Sequence, residues 1–127
     1  MPTIEEERRD RTIGARADGG SPVVACCPVY HEAVELIGRR WTGAIVDVLL
    51  QSRALRFSEI AQAVPQISDR LLSERMKELE ARGMVQRQAR SGPPLRVEYS
   101  LTQMGNALGP ALGELKAWAQ HWLDPGS

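Results

Sequence analysis

The sequence has 127 residues, 43% of them hydrophobic, and its 16 Lys/Arg balance 16 Asp/Glu to a formal net charge of zero. That length suits a single domain with its own core, and the neutral balance argues against an indiscriminate polyanion binder. No apolar run approaches the roughly 20 residues needed to span a bilayer, and the charged start MPTIEEERRDR lacks the apolar stretch of a secretory signal.

Residues 1–22 are polar and end in Gly19-Gly20-Ser21-Pro22, which reads as a flexible N-terminal arm. Its Arg8, Arg9, Arg11 and Arg16 are offset by five acids, so a solvated tail is favoured over a DNA-touching arm. The two cysteines, Cys26 and Cys27, are adjacent and make no disulfide framework, so a cytoplasmic chain with reduced thiols is expected. Pro28 suits the first position of a helix, where its missing N–H costs nothing. Val29, Ala33, Leu36 and Ile37 form that helix's expected buried stripe, and Gly38 ends it. Thr42 is the expected cap of a second helix, with Ala44, Ile45, Val48 and Leu49 inward and Trp41 packed at the junction.

The stretch from Phe57 to Gly83 carries the strongest pattern. Phe57, Ile60, Ala61 and Val64 recur at i, i+3, i+4 and i+7, one face of a helix. Pro65 stops it, because a proline disfavours helical geometry in the residue before it. Ser68 is a good N-cap and Asp69 places negative charge at the positive end of the next helix. Leu72, Met76 and Leu79 share its inner stripe, and Gly83 is the expected C′ residue. Short helix, tight turn and longer capped helix make a helix-turn-helix. Asp69, Arg70, Ser73, Glu74 and Lys77 lie outside the stripe, where Ser, Arg and Lys meet phosphates and base edges. A plain solvated face is the alternative.

After Gly83 the period changes. Residues 84–89 and 96–101 are strand-like, the second with Val97, Tyr99 and Leu101 on one side. The turn-rich loop Arg90-Ser91-Gly92-Pro93-Pro94-Leu95 joins them, so a hairpin follows the helix-turn-helix as a wing. Thr102 caps the last helix, whose stripe runs Leu108, Ala111, Leu112, Leu115, Trp118, Ala119 and Trp122. Pro110 should kink that helix or delay its regular start. Two tryptophans on a terminal helix call for a partner surface, most simply a second copy of the chain. The expected fold is mainly α with a small β-hairpin wing: an arm over 1–22, a winged helix-turn-helix domain over 23–123 and a tail over 124–127.

Residues 52–101 carry nine basic and six acidic residues, a small excess centred on the helix-turn-helix and wing. That favours a DNA-binding regulator, whereas Glu74 on the outer face favours a winged-helix protein-interaction module that never touches DNA. Catalysis is not expected, since no nucleophile, base and orienting group stand out as a set. Cys27 and His31 lie one turn apart, but even with Cys26 they fall short of a closed zinc site, so no metal and no cofactor is expected.

Several pieces, taken together, resemble the HxlR-type family of bacterial transcription regulators, relatives of the MarR-type winged-helix proteins. They are Cys27-Pro28-Val29, Gly38-Arg39-Arg40-Trp41-Thr42, Arg56-Phe57-Ser58-Glu59-Ile60, the run from Ile67 to Glu80, Gly83-Met84-Val85, and Arg96 to Thr102. The resemblance spans about three quarters of the chain, from Cys27 to about Trp118. It implies a homodimer with N- and C-terminal helices at its interface, the helix from Ser68 in the major groove, and a wing near Arg90. It also implies transcriptional control that often answers oxidants or electrophiles through the cysteine beside the proline. In that frame Arg70, Ser73 and Lys77 read the groove of a pseudo-palindromic operator. Arg56, Arg75, Arg90 and Arg96 hold phosphates, and Ser68, Asp69 and Glu74 border the same surface. Cys27, at or just before the start of the first helix, lies where the helix dipole favours a thiolate. Cys26 is a candidate resolving partner, and inert packing is the alternative for both thiols. The partners are then double-stranded DNA, a second copy of the chain and an unidentified small effector, with no membrane.

Overall fold

The structure, a computed structural model, describes residues 23–126. The arm expected over residues 1–22 lies outside them. Two compact units divide after Leu36.

In the first unit, α1 (Pro28–Gly38) begins on the expected proline and runs past the division. The carbonyl of Cys27 accepts the first helical bond from the His31 N–H at 2.9 Å. None of α1 is buried. The expected stripe is therefore corrected: Val29 and Ala33 are exposed, Leu36 and Ile37 half-buried. Apolar spacing identified the face but not what covers it.

The second unit starts with the turn into α2 (Thr42–Leu50). Thr42 is not the cap. Trp41 takes that position with a left-handed φ of 76° and no side-chain cap bond, while Thr42 is buried as the first helical residue. The inner face of α2 is Ile45, Val46 and Leu49; Ala44 is exposed and Val48 half-buried. A two-residue strand, β1 (Leu55–Arg56), follows; its shortness hid it in the sequence.

The helix α3 (Phe57–Ala63) buries Ile60, and Val64 behind it is also buried. Its entry is set by Glu59. The Arg56 N–H donates to Glu59 Oε1 at 2.8 Å, one half of a capping box. The helix α4 (Asp69–Ala81) opens as expected, with the Leu71 N–H donating to Ser68 Oγ at 3.1 Å. It closes in a Schellman turn: Gly83 N bonds the Glu80 carbonyl and Met84 N the Leu79 carbonyl, with Gly83 at φ +77°.

The strands β2 (Val85–Arg90) and β3 (Arg96–Leu101) form the wing. The antiparallel sheet has the order β1-β3-β2, so β3 is central, with Arg56 opposite Glu98 and Arg90 opposite Arg96. The expected single helix after Thr102 is two. Thr102 caps α5 (Gln103–Ala107) through Gly105 N at 3.2 Å, and α6 (Gly109–Trp122) then starts with Pro110 in its first turn. Pro110 therefore delays the regular helix. Gly105 is buried where a Cβ would stand 2.3 Å from the Met84 carbonyl, a close approach only glycine permits. The centre of the core is Ile45, Val46, Leu49, Ile60, Leu72, Met76, Leu79, Met84 and Val85, each at most 2% exposed. No helix among the described residues is long and apolar enough to cross a membrane.

Candidate nucleic-acid interface and thiol pair

The inner face of α4 seats in the core through Leu72, Met76 and Leu79. That seating leaves the opposite face to solvent. Asp69, Arg70, Glu74 and Lys77 are exposed and Ser73 is half-buried at its edge. The Arg70 side chain is 91% exposed, with Nε 3.7 Å from Glu74 Oε1. Ser68, also exposed, uses its hydroxyl oxygen to cap the helix.

Arg75 does not join this face. It is only 9% exposed. Its Nε donates to the Arg40 carbonyl at 3.0 Å, and Nη1 meets Glu78 Oε1 at 3.2 Å. The expected phosphate contact is corrected: Arg75 looks inward. Sequence held a signal for this, because Leu72, Arg75, Met76 and Leu79 stand at i, i+3, i+4 and i+7. Reading the arginine by its charge rather than its position missed it.

At the wing, β2 and β3 present Arg90 and Arg96 as an exposed pair in register beside the exposed loop Ser91–Leu95. Arg90 Nε is ion-paired with Glu98, whose side chain is 22% exposed. Arg56, on β1, stands opposite Glu98 of β3 and turns its Nε to Glu59 Oε1 at 3.4 Å. The bond from the Arg56 N–H, then the Arg56 and Arg96 guanidinium charges, hold the Glu59 carboxyl below its ordinary pKa. Glu59 and Glu98 were not foreseen; the Arg56-x-x-Glu59 spacing was the available signal for the first. Thus Arg56, Arg70 and Arg90 each rest against a carboxylate. The Arg56–Glu59 and Arg70–Glu74 pairs are solvent-exposed, and pairs of that kind contribute little.

In the first unit, Cys26 and Cys27 are free and exposed. The Cys26 thiol points back to the Cys27 carbonyl at 3.6 Å. His31 Nε2 is 2.7 Å from Glu35 Oε1, so its ring is engaged along the helix with Glu35. No group of three or more metal-ligating side chains occurs among the described residues.

A capped helix presented outward from a three-helix core, with a hairpin wing behind it, defines a winged helix-turn-helix regulator that binds DNA. The chain belongs to the HxlR-like helix-turn-helix family, whose model matches residues 36–127; this is a family of transcription regulators, not of enzymes. It is 50% identical over 99 residues to the HTH-type transcriptional regulator YvaP of Bacillus subtilis, covering 78% of this chain and 91% of that one. Against the HTH-type transcriptional regulator YodB of Bacillus subtilis it is 42% identical over 100 residues, 79% of this chain and 88% of that one. The solved structure of reduced YodB superposes with a TM-score of 0.72 at 41% identity, over 80% of this chain and 99% of the chain in that structure. YodB has also been solved diamide-treated and quinone-bound. The redox regulator HypR in its reduced form gives a TM-score of 0.70 at 34% identity, over 77% of this chain and 95% of that one.

Proposed function

We propose that the protein is a symmetric homodimer that binds a pseudo-palindromic operator and responds to oxidants or electrophiles through Cys27. The observation that carries the assembly is the uncovered stripe of α6, where Leu115 and Trp118 are each 53% exposed and Trp122 is 68% exposed. Aromatic surface of that extent on neighbouring turns marks an interaction site. The exposed apolar residues Val29, Tyr30 and Val34 of α1 suit the same role. Two α4 helices related by a two-fold axis then face half-sites about one helical turn, or a small multiple, apart.

In this reading Arg70, Ser73 and Lys77 contact bases. Ser68, Asp69 and Glu74 line the same surface, and Arg56, Arg90 and Arg96 hold phosphates. Cys27 is the responding thiol because it is exposed and ends the chain segment that enters α1. Access of this kind governs thiol reactivity. Oxidation through a sulfenic acid leads to a disulfide with Cys26 or with the partner's cysteine. The diamide-treated and quinone-bound forms of YodB support this class of signal. Such a protein works in the cytoplasm, beside its DNA.

A gel shift with promoter DNA across a salt series tests the reading. Binding should be tight and salt-dependent, weakened reversibly by diamide or a quinone, and insensitive to both in Cys27→Ser. A monomer at micromolar concentration in sedimentation, or unchanged affinity with both thiols free after oxidant, overturns the corresponding part.

A further inference from the structure

Arg75 is the only charged residue buried among the described residues, and it sits on the very helix that presents the DNA-facing side chains. One of its partners, the Arg40 carbonyl, lies 35 residues away in sequence, in the turn between α1 and α2. In that turn the Arg39 carbonyl accepts from Thr42 N and the Trp41 carbonyl from Ile45 N, each at 3.0 Å. The Arg40 carbonyl between them is met by Arg75 Nε, also at 3.0 Å. One turn further along α4, Glu78 Oε1 lies 3.2 Å from Arg75 Nη1 and 3.2 Å from Arg39 Nη2. Successive turns of α4 are thereby tied to successive residues of the turn.

The turn itself is unusual. Trp41 has a φ of 76°, a region that bulky side chains rarely adopt. Such a conformation persists where its surroundings over-determine it. Here the Arg40 guanidinium lies 5.4 Å over the Trp41 ring, and the Arg40 carbonyl is held from α4. A guanidinium fork serves two acceptors at once; an ammonium is a single point.

We propose that Arg75 is a positioning residue for DNA reading. With Glu78 it clamps α4 to the Arg39–Trp41 turn and fixes the rotation at which Arg70, Ser73 and Lys77 meet the groove, without touching DNA itself. The proposal rests on the reading that the outer face of α4 contacts the operator. It separates Arg75 from the phosphate-binding arginines by mechanism: its loss misplaces other side chains and removes no charge from the interface.

The test compares intact wild type, Arg75→Lys, Glu78→Ala and the double variant. Hydrogen exchange is followed in the DNA-free protein, and affinity for operator and for unrelated DNA is measured over a salt series. Each single variant should speed exchange in α4 and at residues 39–42 while leaving the β2–β3 hairpin unchanged. Each should lower the operator-to-unrelated affinity ratio on the order of tenfold, the size of one buried charge-assisted bond, with the salt slope intact. The double variant should be no worse than the worse single one, because both break the same clamp. A neutral Arg75→Gln added to the set should also keep the slope; a slope flattened by about one marks a phosphate contact and overturns the clamp. So does an Arg75→Lys protein with the wild-type ratio. If the Arg75 variants do not fold, Glu78→Ala, at a side chain 36% exposed, decides: unchanged exchange and unchanged ratio refute the clamp. A wild type with no operator preference overturns the reading of α4, and the positioning role with it.

Discussion

Two stripes of the same helical period meet opposite fates in this chain. On α4, Leu72, Met76 and Leu79 are at most 2% exposed; on α6, Leu115, Trp118 and Trp122 are 53–68% exposed. The α4 stripe seats in the core against β2. The α6 helix meets α2, where Lys116 Nζ lies 2.8 Å from Asp47 Oδ1, and leaves its tryptophans outside. Periodicity reports that a face is apolar. Whether the same chain covers it depends on where the loops put the neighbours.

Truncation on the two stripes is the sharpest way to break that comparison. Leu72→Ala should cost about 2–5 kcal/mol in urea unfolding, the transfer term plus the cavity it leaves. Trp118→Ala, measured where the chain is monomeric, should change stability by less than about 0.5 kcal/mol, as for an ordinary surface site. Its effect should appear in sedimentation, as weakened self-association. A Trp118→Ala monomer as damaged as Leu72→Ala means that the α6 stripe is covered within its own chain.

The next effect lies where the wing meets α5. A Cβ on Gly105 would stand 2.3 Å from the Met84 carbonyl and 2.9 Å from Leu101 Cδ2. Thr102 Oγ1 donates to the Gly83 and Met84 carbonyls at the same junction. Gly105→Ala should therefore cost about 1–3 kcal/mol by overpacking, although alanine is the better helix former. Thermal unfolding of the pair measures it, and a stabilised variant would show that intrinsic propensity outweighs the close approach.

That glycine shows where sequence reading stops. Nothing near Gly105 in the sequence marks it, because its reason, the Met84 carbonyl beyond both wing strands, is not local. Ser68, Gly83 and Pro110 were legible because caps and breakers act within a turn of their own position. The core of α4 was legible from spacing, and the wing from its change of period. Trp41 was not, since nothing in Arg40-Trp41-Thr42 announces a left-handed residue, and the donor that meets the adjacent Arg40 carbonyl, Arg75, comes from α4 35 residues on. The outer face of α4 and the arginines beside it were legible as residues, but the pairings of Arg70 with Glu74, Arg56 with Glu59 and Arg90 with Glu98 depend on register and rotamer.

Local signals also make smaller predictions. Ser68→Ala removes the acceptor for the Leu71 N–H and should cost about 1 kcal/mol. The loss should leave the core packing of Leu72 and Leu79 intact, so near-ultraviolet circular dichroism should not change below the transition. A changed native spectrum would mean that the cap also sets how α4 seats.

The smallest effect concerns Glu59 and depends on pH. The Arg56 N–H bonds its carboxylate, and the Arg56 and Arg96 charges lie close, so its pKa in the folded chain is below the ordinary 4.5. The folded protein then binds this proton less readily than the unfolded chain does. Stability from Glu59 is fully present above the unfolded value and is lost as pH falls through the lowered folded value. The wild type should therefore exceed Glu59→Gln in urea midpoint by a constant margin near neutrality, and the two should converge in acid. Because Glu59 is 41% exposed by side chain, salt should narrow the margin. Convergence at high pH instead would reverse the sign, and the entry to α3 would then owe nothing to the charge on Glu59.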